Sequence, residues 1–380
     1  MSNRNVIVLS IVAAITLIWA VIQSHVANSN ANRPQRASFE ESYLIQGLDL
    51  ASIASIRIGT GDDALTLVRQ GPQFVVASKQ GYPADTEKIN RLLIDLTDLR
   101  VTELVTDDEE NHKSLHVTED NVESLVRFFD QSDTLMTGIA IGSRHIVEGG
   151  TGPSQSYVRL LSSSNVFLAQ DAPSVEDSAI EYLDRNILDL EGDEIAQVEV
   201  SLPDSSYQVK AGTKDDTAKY VLNRLPEGRE LDDTKAGELF SAFASVTLQD
   251  VQKAEKFEEG LTPVGTAVCT LKNQVAYSVE VFKKDDTPYV RISAESLDKT
   301  QIVKEDRVET DEELRAKEAK LLARDEAEKF TQRHQGWMYE IPKWKADKLL
   351  TARNNLLKEI ETPDEIAPAS GSEAIPSVTN

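Results

Sequence analysis

The stretch YPADTEKINRLLIDLTDLRVTELV (residues 82–105) predicts a capped amphipathic helix that runs into a β-strand. Asp85 offers a side-chain oxygen to the free amide groups of the first helical turn, and Glu87 suits the positive end of the helix dipole. Four apolar residues recur at helical spacing on one face: Ile89, Leu92, Leu93 and Leu96. That face must be buried, so the helix needs a partner surface.

Three short runs ahead of this helix supply the partner surface. They are rich in β-forming residues and are separated by the turn sequences GTGDD and QGP: residues 53–58, 65–69 and 74–77. The first half of the chain therefore predicts a strand-strand-strand-helix-strand unit.

The same unit recurs in the second half of the chain. IASIRI at Ile53 is echoed by IAQVEV at Ile195, and the second helix is capped by Asp232 or Asp233. Its apolar face consists of Ala236, Leu239, Phe240 and Phe243. Later strands match too, since YVRI at residues 289–292 echoes YVRL at residues 157–160. We therefore predict an α+β fold of two tandem repeats of antiparallel sheet with a packed helix, plus one N-terminal transmembrane helix and a C-terminal helical extension.

Six segments follow one another in the predicted organisation. They are an anchor (1–24), a tether (25–45), a first repeat (46–190), a second repeat (191–300), a charged helix with a strand and a docking helix (301–360), and a disordered tail (361–380). Apolar periodicity also predicts helices at residues 121–130, 180–190 and 344–360, a long exposed helix within 304–335, and a strand at 337–341.

The composition limits the classes of protein and of partner. The 380 residues are 40% apolar and 27% charged, which is typical of a soluble globular body. The formal net charge of -24 repels phosphate backbones, so nucleic acid is excluded as a partner. The single cysteine, Cys269, lies in the apolar run AVCTL; it forms no intrachain disulfide, and we predict a buried thiol on a strand.

An uncharged apolar run begins at Val6 and ends at Ile22. At ~1.5 Å per residue it spans about 26 Å as a helix, close to the ~30 Å hydrocarbon thickness of a bilayer. It predicts a single membrane span, with a secretory signal cleaved after SNA (residues 29–31) as the alternative. The N-terminal tail favours a body outside the cytoplasm, whereas Arg33 and Arg36 after the span outnumber Arg4 before it.

Two sequence signals point to chemistry, and each has a simpler explanation. GTGDDA (residues 59–64) matches the dinucleotide pattern G-x-G-x-x-A, but strand-like alternation follows it where a phosphate-binding helix is required, so we predict a hairpin turn. His112 and His116 have the i, i+4 spacing of zinc ligands, with Glu109 or Glu110 as a third ligand. Lys113 occupies the place of the general-base glutamate, so exposed loop histidines are favoured.

Other motifs are incomplete. The acidic run DDEEN (residues 107–111) lacks the alternating oxygens and central glycine of an EF-hand loop, and EGGTGPS (residues 148–154) lacks the Gly-Lys ending of a phosphate loop. Ser124 is followed by Arg127 where a serine-lysine acyl enzyme needs lysine. We predict no catalytic residues, no metal and no cofactor.

Several of these stretches resemble one bacterial family, the domain-of-unknown-function 4340 family. The resemblance is carried by the N-terminal span, IASIRIGTGDDALTLVRQGPQFVV, the YPAD start with LLIDLTDLRVTELV, and GWMYEIPKWKADKLL at Gly336. It covers residues 53–357, and Phe74 stands where the family's tryptophan is expected.

The resemblance implies a membrane-anchored envelope protein, and together with the N-terminal span it predicts a single-pass protein of the bacterial inner membrane with its body on the periplasmic side. It also implies an accessory role beside the permease or an auxiliary subunit of an ABC-type export system. Our functional hypothesis is a non-enzymatic interaction subunit, and the alternatives are a metal-dependent envelope hydrolase that uses His112 and His116 or a passive scaffold.

Overall fold

A computed structural model describes residues 41–145, 154–212, 219–257, 262–303 and 309–360. In these residues the chain forms a mixed α+β fold with antiparallel sheets and four α-helices. The predicted anchor at residues 6–22 and the predicted tail at 361–380 lie outside the described residues, as does most of the predicted tether. Within the described ranges, no helix is both long enough and apolar enough to cross a bilayer.

The helices and strands have the following bounds. The helices are α1 Thr86–Thr97, α2 Asp233–Ala244, α3 Asp311–His334 and α4 Lys343–Leu349. The first twelve strands are β1 Ser42–Tyr43, β2 Ser55–Ile58, β3 Leu65–Gln70, β4 Gln73–Val76, β5 Tyr82–Pro83, β6 Arg100–Thr106, β7 Val117–Thr118, β8 Asn121–Val122, β9 Ser124–Phe129, β10 Leu135–His145, β11 Gln155–Leu160 and β12 Val166–Gln170. The remaining strands are β13 Asn186–Asp189, β14 Ile195–Leu202, β15 Ser205–Ala211, β16 Tyr220–Leu222, β17 Arg229–Leu231, β18 Ser245–Thr247, β19 Asp250–Lys253, β20 Gly265–Leu271, β21 Val275–Lys284, β22 Thr287–Ser296, β23 Trp337–Glu340 and β24 Leu357–Glu359.

The chain divides into two compact units, and the first contains residues 41–77 and Thr86–Glu181 in its described part. Its sheet has the strand order β1-β6-β12-β11-β10-β9-β2-β3-β4. Neighbouring strands of this sheet are antiparallel. The four predicted apolar residues of α1 are buried, as their helical spacing requires.

The second unit contains Ser78–Asp85 and residues 182–360 in its described part. Its main sheet has the strand order β16-β15-β14-β20-β21-β22-β23-β19, again antiparallel. The unit thus includes an eight-residue segment that precedes α1 in sequence, and it begins at residue 182 where the sequence prediction had placed a boundary at 190.

Capping residues set where two of the helices begin. Asp232, one of the two predicted caps, accepts hydrogen bonds from the backbone amides of Thr234 and Lys235 at the start of α2. At the start of α3, Thr310 and Glu313 form a reciprocal capping box, each side chain accepting from the other residue's backbone amide.

The charged helix α3 covers part of a sheet edge. β22 pairs with β23 only at Tyr289 and Val290, and α3 lies against β21 and β22. The Thr331 hydroxyl donates to the carbonyl of Ala294 at 2.8 Å and accepts from its amide at 2.9 Å. Because unpaired strand edges expose backbone polar groups, this contact completes the hydrogen bonding of β22 at that residue.

Three helix predictions are wrong. Residues 121–130 form β8 and β9, because the run SLVRFF is the strand between β2 and β10 and is buried on both faces of the sheet. Residues 180–190 form a 3₁₀ turn and β13. The predicted helix at 344–360 ends at Leu349, after which the chain forms a 3₁₀ turn and β24. The predicted strand at 337–341 and the predicted long helix before it are confirmed as β23 and α3.

Candidate functional site

The second unit holds an aromatic cluster that joins two distant stretches of sequence. We call Tyr82, His334, Trp337 and Tyr339 the aromatic clasp. The Tyr82 ring stands edge-on to Trp337, with 5.0 Å between centroids, and edge-on to Tyr339, with 6.0 Å between centroids. Tyr82, His334 and Tyr339 are at most 2% exposed. Edge-to-face pairs at these distances are favourable beyond the area that they bury.

The two tyrosine hydroxyls and one imidazole nitrogen of the clasp have partners inside the unit. The Tyr82 hydroxyl donates to the backbone carbonyl of Asp184 at 3.1 Å, and Nδ1 of His334 lies 2.7 Å from the Tyr339 hydroxyl. The side chain of Asp184 pairs with Arg333, the residue before His334. The hydrogen bonds therefore tie residue 82, residue 184 and the end of α3 together.

The local sequence explains how these rings meet. Gly336 has φ +80°, a left-handed conformation that glycine adopts without steric cost, and it lets the chain turn from α3 directly into β23. On β23, Trp337 is also covered by the Lys253 ammonium, 3.6 Å from its ring centroid. In GWMYEIP, the glycine thus makes the turn, and the tryptophan and the tyrosine make the buried contacts.

Burial suppresses ionisation throughout the clasp. It lowers the pKa of His334 to about 3, with a smaller contribution from the neighbouring Arg333. It raises the pKa of both Tyr82 and Tyr339. At neutral pH the imidazole and both phenols are uncharged. The clasp therefore contributes packing and hydrogen bonds, and none of these three groups titrates near neutral pH.

Residues 75–263 match the family model described as a domain of unknown function, DUF4340. This stretch belongs to the DUF4340 domain family. No curated protein and no solved structure matches the chain. Tyr82 lies inside the matched DUF4340 residues, whereas Trp337 and Tyr339 follow them, so the clasp joins the matched stretch to the sequence beyond it.

The two histidines of the metal hypothesis lie in the DUF4340 stretch but not on one helical turn. His112 follows a 3₁₀ turn and is 5% exposed, and its Nε2–H donates to the carbonyl oxygen of Ser164 at 2.8 Å. His116 is exposed and has φ +59°, a left-handed conformation outside any helix. Among the described residues, no three His, Cys, Asp or Glu side chains form a group that could hold a metal ion.

The other motifs singled out from the sequence have structural roles. GTGDDA is the turn of the β2–β3 hairpin, in which Ile58 pairs with Leu65, as predicted. Cys269 is fully buried on β20, also as predicted, and burial raises the pKa of its thiol to about 12. Ser124 is the first residue of β9, and the Arg127 guanidinium on the same strand donates to the carbonyl of Gly59 at 3.1 Å.

Several buried cationic or titratable residues escaped sequence reasoning, among them Lys345 and also His112, which was expected to be exposed. Another is His334, which the sequence shows as part of an exposed charged helix. A further one is Arg159, 9% exposed, whose Nε and Nη2 both donate to the carbonyl of Val117 at 3.0 and 2.9 Å. Burial lowers the pKa of Arg159. The repeated YVR pattern was a signal for Arg159, although it does not reveal that the first copy is buried.

The second unit also has a half-open cleft of about 350 Å³ beside α4. Val281, Ala346 and Leu350 provide apolar walls. At its mouth, Lys283 pairs with Asp286 at 2.6 Å, so these two charges satisfy each other. The cleft can take an apolar group of modest size.

Proposed function

We propose that this chain is a non-enzymatic, membrane-anchored envelope protein that acts as an interaction subunit of an ABC-type export system. The observation that carries the proposal is the aromatic clasp. The aromatic residues of YPAD and GWMYEIP, two motifs that carry the family resemblance, are buried against each other, and both tyrosine hydroxyls are hydrogen-bonded inside the unit. Such residues maintain a fold, which leaves the surface to carry the function.

The membrane part of the proposal rests on the uncharged run from Val6 to Ile22. Its length suits one crossing of a bilayer. We place the body on the periplasmic side of a bacterial inner membrane, because residues 1–5 contain no carboxylate and the family resemblance implies an extracytoplasmic subunit. A reporter enzyme fused after Asn380 should be active only outside the cytoplasm, and activity in the cytoplasm would reverse this orientation.

We further infer that the two units arose by duplication. Read from β4 and from β16, eight successive strands of the two sheets have the orders β4-β3-β2-β9-β10-β11-β12-β6 and β16-β15-β14-β20-β21-β22-β23-β19. Each strand of the first sheet has the same place in the chain relative to α1 as its counterpart in the second sheet has relative to α2. The strands β22 and β23 correspond to the β11–β12 hairpin, and α3 lies between them in the chain. A shared strand order over eight strands supports a common origin more strongly than the weak sequence identity does.

Crosslinking in intact membranes, followed by purification of the full-length chain, tests the proposed partner. The permease, ATPase or auxiliary subunit of an ABC-type exporter should co-purify, and an unrelated single-pass protein of similar abundance is the control. Recovery of no exporter subunit would contradict the export role.

Metal analysis of the same protein separates this proposal from the hydrolase alternative. We expect no stoichiometric zinc in the purified chain. Bound zinc that is present at one ion per chain and lost in His112→Ala would favour the hydrolase.

A further inference from the structure

The outer face of α3 carries three exposed leucines on an otherwise charged helix. Leu314, Leu321 and Leu322 are 50%, 56% and 61% exposed. They stand on the side away from the sheet, because Ala323, Ala327 and His334 form the buried side of the same helix. Leucine contributes nothing to solubility at such positions, and its exposure on one face is typical of a surface that binds a partner.

The helix is held firmly enough to present this face. On its inner side the Arg324 guanidinium donates to the carbonyl of Asp298 at 2.8 Å, and Lys320 pairs with the carboxylate of Asp298 at 3.0 Å. Thr331 is bonded to Ala294 further along. The helix therefore offers its outer face without having to be ordered on binding, which reduces the entropic cost of association.

Acidic residues interrupt the leucines along the same stripe. Leu314, Glu318, Leu321 and Asp325 follow one another at spacings of four, three and four residues, so they line one side of the helix. Glu318 and Asp325 are exposed, and the Asp325 carboxylate pairs with Lys329 on the same helix at 2.8 Å. A surface of this kind favours a partner in which basic residues alternate with apolar residues along one helical face.

The same charges argue against other occupants. A second copy of the chain carries the same net charge of -24, which opposes its association. An anionic bilayer surface would be repelled for the same reason. A basic amphipathic helix meets both requirements, since its apolar face covers the leucines while its Lys and Arg side chains reach Glu318 and Asp325.

We propose that the outer face of α3 is a docking site for a basic amphipathic helix of a partner protein. This rests on the proposed function and deepens it by naming the surface and the chemistry of the partner. The contact is of the helix-on-helix kind, with leucine side chains as anchors and ion pairs between them that set orientation.

Peptide binding to the full-length chain in neutral phosphatidylcholine nanodiscs tests the site. The probe is a synthetic 21-residue helix with a leucine face flanked by lysines, and the matched peptide has glutamate in place of every lysine. The lysine peptide should bind, and the glutamate peptide should not. Leu314→Gln/Leu321→Gln/Leu322→Gln, which keeps residues of high helix propensity, should weaken binding at least tenfold. Leu135→Gln/Leu225→Gln, at exposed leucines elsewhere, should leave it unchanged.

A charge swap separates the site from general attraction to an acidic protein. Glu318→Lys/Asp325→Lys should lose the lysine peptide and gain the glutamate peptide. Asp62→Lys/Asp63→Lys makes the same change of net charge in the exposed β2–β3 turn and should have no such effect. Equal effects of the two swaps, or binding unaffected by the leucine variant, would overturn the proposal. Membrane crosslinking reports on the export system independently, so either idea can fail without the other.

Discussion

His334 is a neutral imidazole buried at the end of the most charged helix described in this protein. It is 2% exposed, its Nδ1 is used by Tyr339, and the Phe330 ring lies 4.4 Å from it on the same helix. A protonated imidazole at this place would be a buried cation beside Arg333. The residue is therefore a point at which acid weakens the second unit.

The pH dependence of stability follows from this burial. The pKa of His334 falls from 6.5 to about 3 on folding, so the unfolded chain binds more protons than the folded chain between these values. The free energy of unfolding should therefore fall as the pH drops from about 6.5 towards 3, with a contribution from this group of at most about 1.4 kcal/mol per pH unit. Urea unfolding at several pH values, followed by the fluorescence of Trp337 and Trp344, measures it.

His334→Gln keeps an amide that can reach Tyr339 and removes the titration. Its free energy of unfolding should depend less steeply on pH in this window than that of the wild type. His116→Gln, at an exposed histidine, should retain the wild-type slope. Identical slopes for wild type and His334→Gln would show that His334 is not buried as a neutral group.

Tyr82 tests the aromatic clasp directly. Tyr82→Phe removes the donor to the Asp184 carbonyl and should lower the free energy of unfolding by about 1 kcal/mol. Tyr82→Ala also removes the ring from between Trp337 and Tyr339 and should cost about 3–5 kcal/mol. Urea unfolding followed by circular dichroism gives both values, and Leu225→Ala at an exposed leucine should change little. A Tyr82→Ala cost no larger than this control would mean that the clasp does not stabilise the fold.

Gly142 on β10 lies directly beneath the loop that carries the two histidines. A Cβ there would overlap the carbonyl oxygens of Leu115 and His116, which are backbone atoms that yield only if the loop moves. Gly142→Ala should destabilise the first unit by about 1–3 kcal/mol in thermal unfolding. Gly192→Ala, where a Cβ meets nothing within 4 Å, is the matched control, and equal stability of the two variants would contradict this packing.

Among the elements, α1 and α2 were predictable because each combines a start signal with a long apolar stripe. The strand β9 was not. Val122, Leu125, Val126 and Phe129 fit helical spacing, yet SLVRFF is a short apolar run, and such runs do not distinguish a buried helix from a central strand. Only the pairing of β9 with β2 and β10 decides the matter, and that information lies outside the local sequence.

The attachment of α3 to the sheet gives a prediction about this helix. Thr331→Val keeps the shape of the side chain but removes both hydrogen bonds to Ala294, leaving an amide and a carbonyl of β22 without that partner. The free energy of unfolding should fall by about 1–3 kcal/mol in urea unfolding. Thr266→Val, on β20, is a matched control, since the structure describes no hydrogen bond of its side chain. If both variants are equally stable, α3 does not complete the edge of β22.

For the whole molecule, the sequence predicted the strand-strand-strand-helix-strand order near the start of each half but not the division between the units. Residues 78–85 precede α1 in sequence and belong to the second unit, where Tyr82 meets Trp337 more than 250 residues later. No local pattern predicts a contact of that separation. The candidate docking site was only half predictable, because the sequence gives the leucines of α3 while their exposure depends on which side of the helix faces the sheet.

The central claim is that this protein holds a partner on its surface, and a photo-crosslinking amino acid placed at Leu321 tests it most directly. In living cells, irradiation should join position 321 to a subunit of an ABC-type exporter through a segment that forms a basic amphipathic helix. The same amino acid at Leu225, an exposed leucine away from α3, should give no such product. Exporter adducts of equal yield at both positions, or none at position 321, would contradict the account.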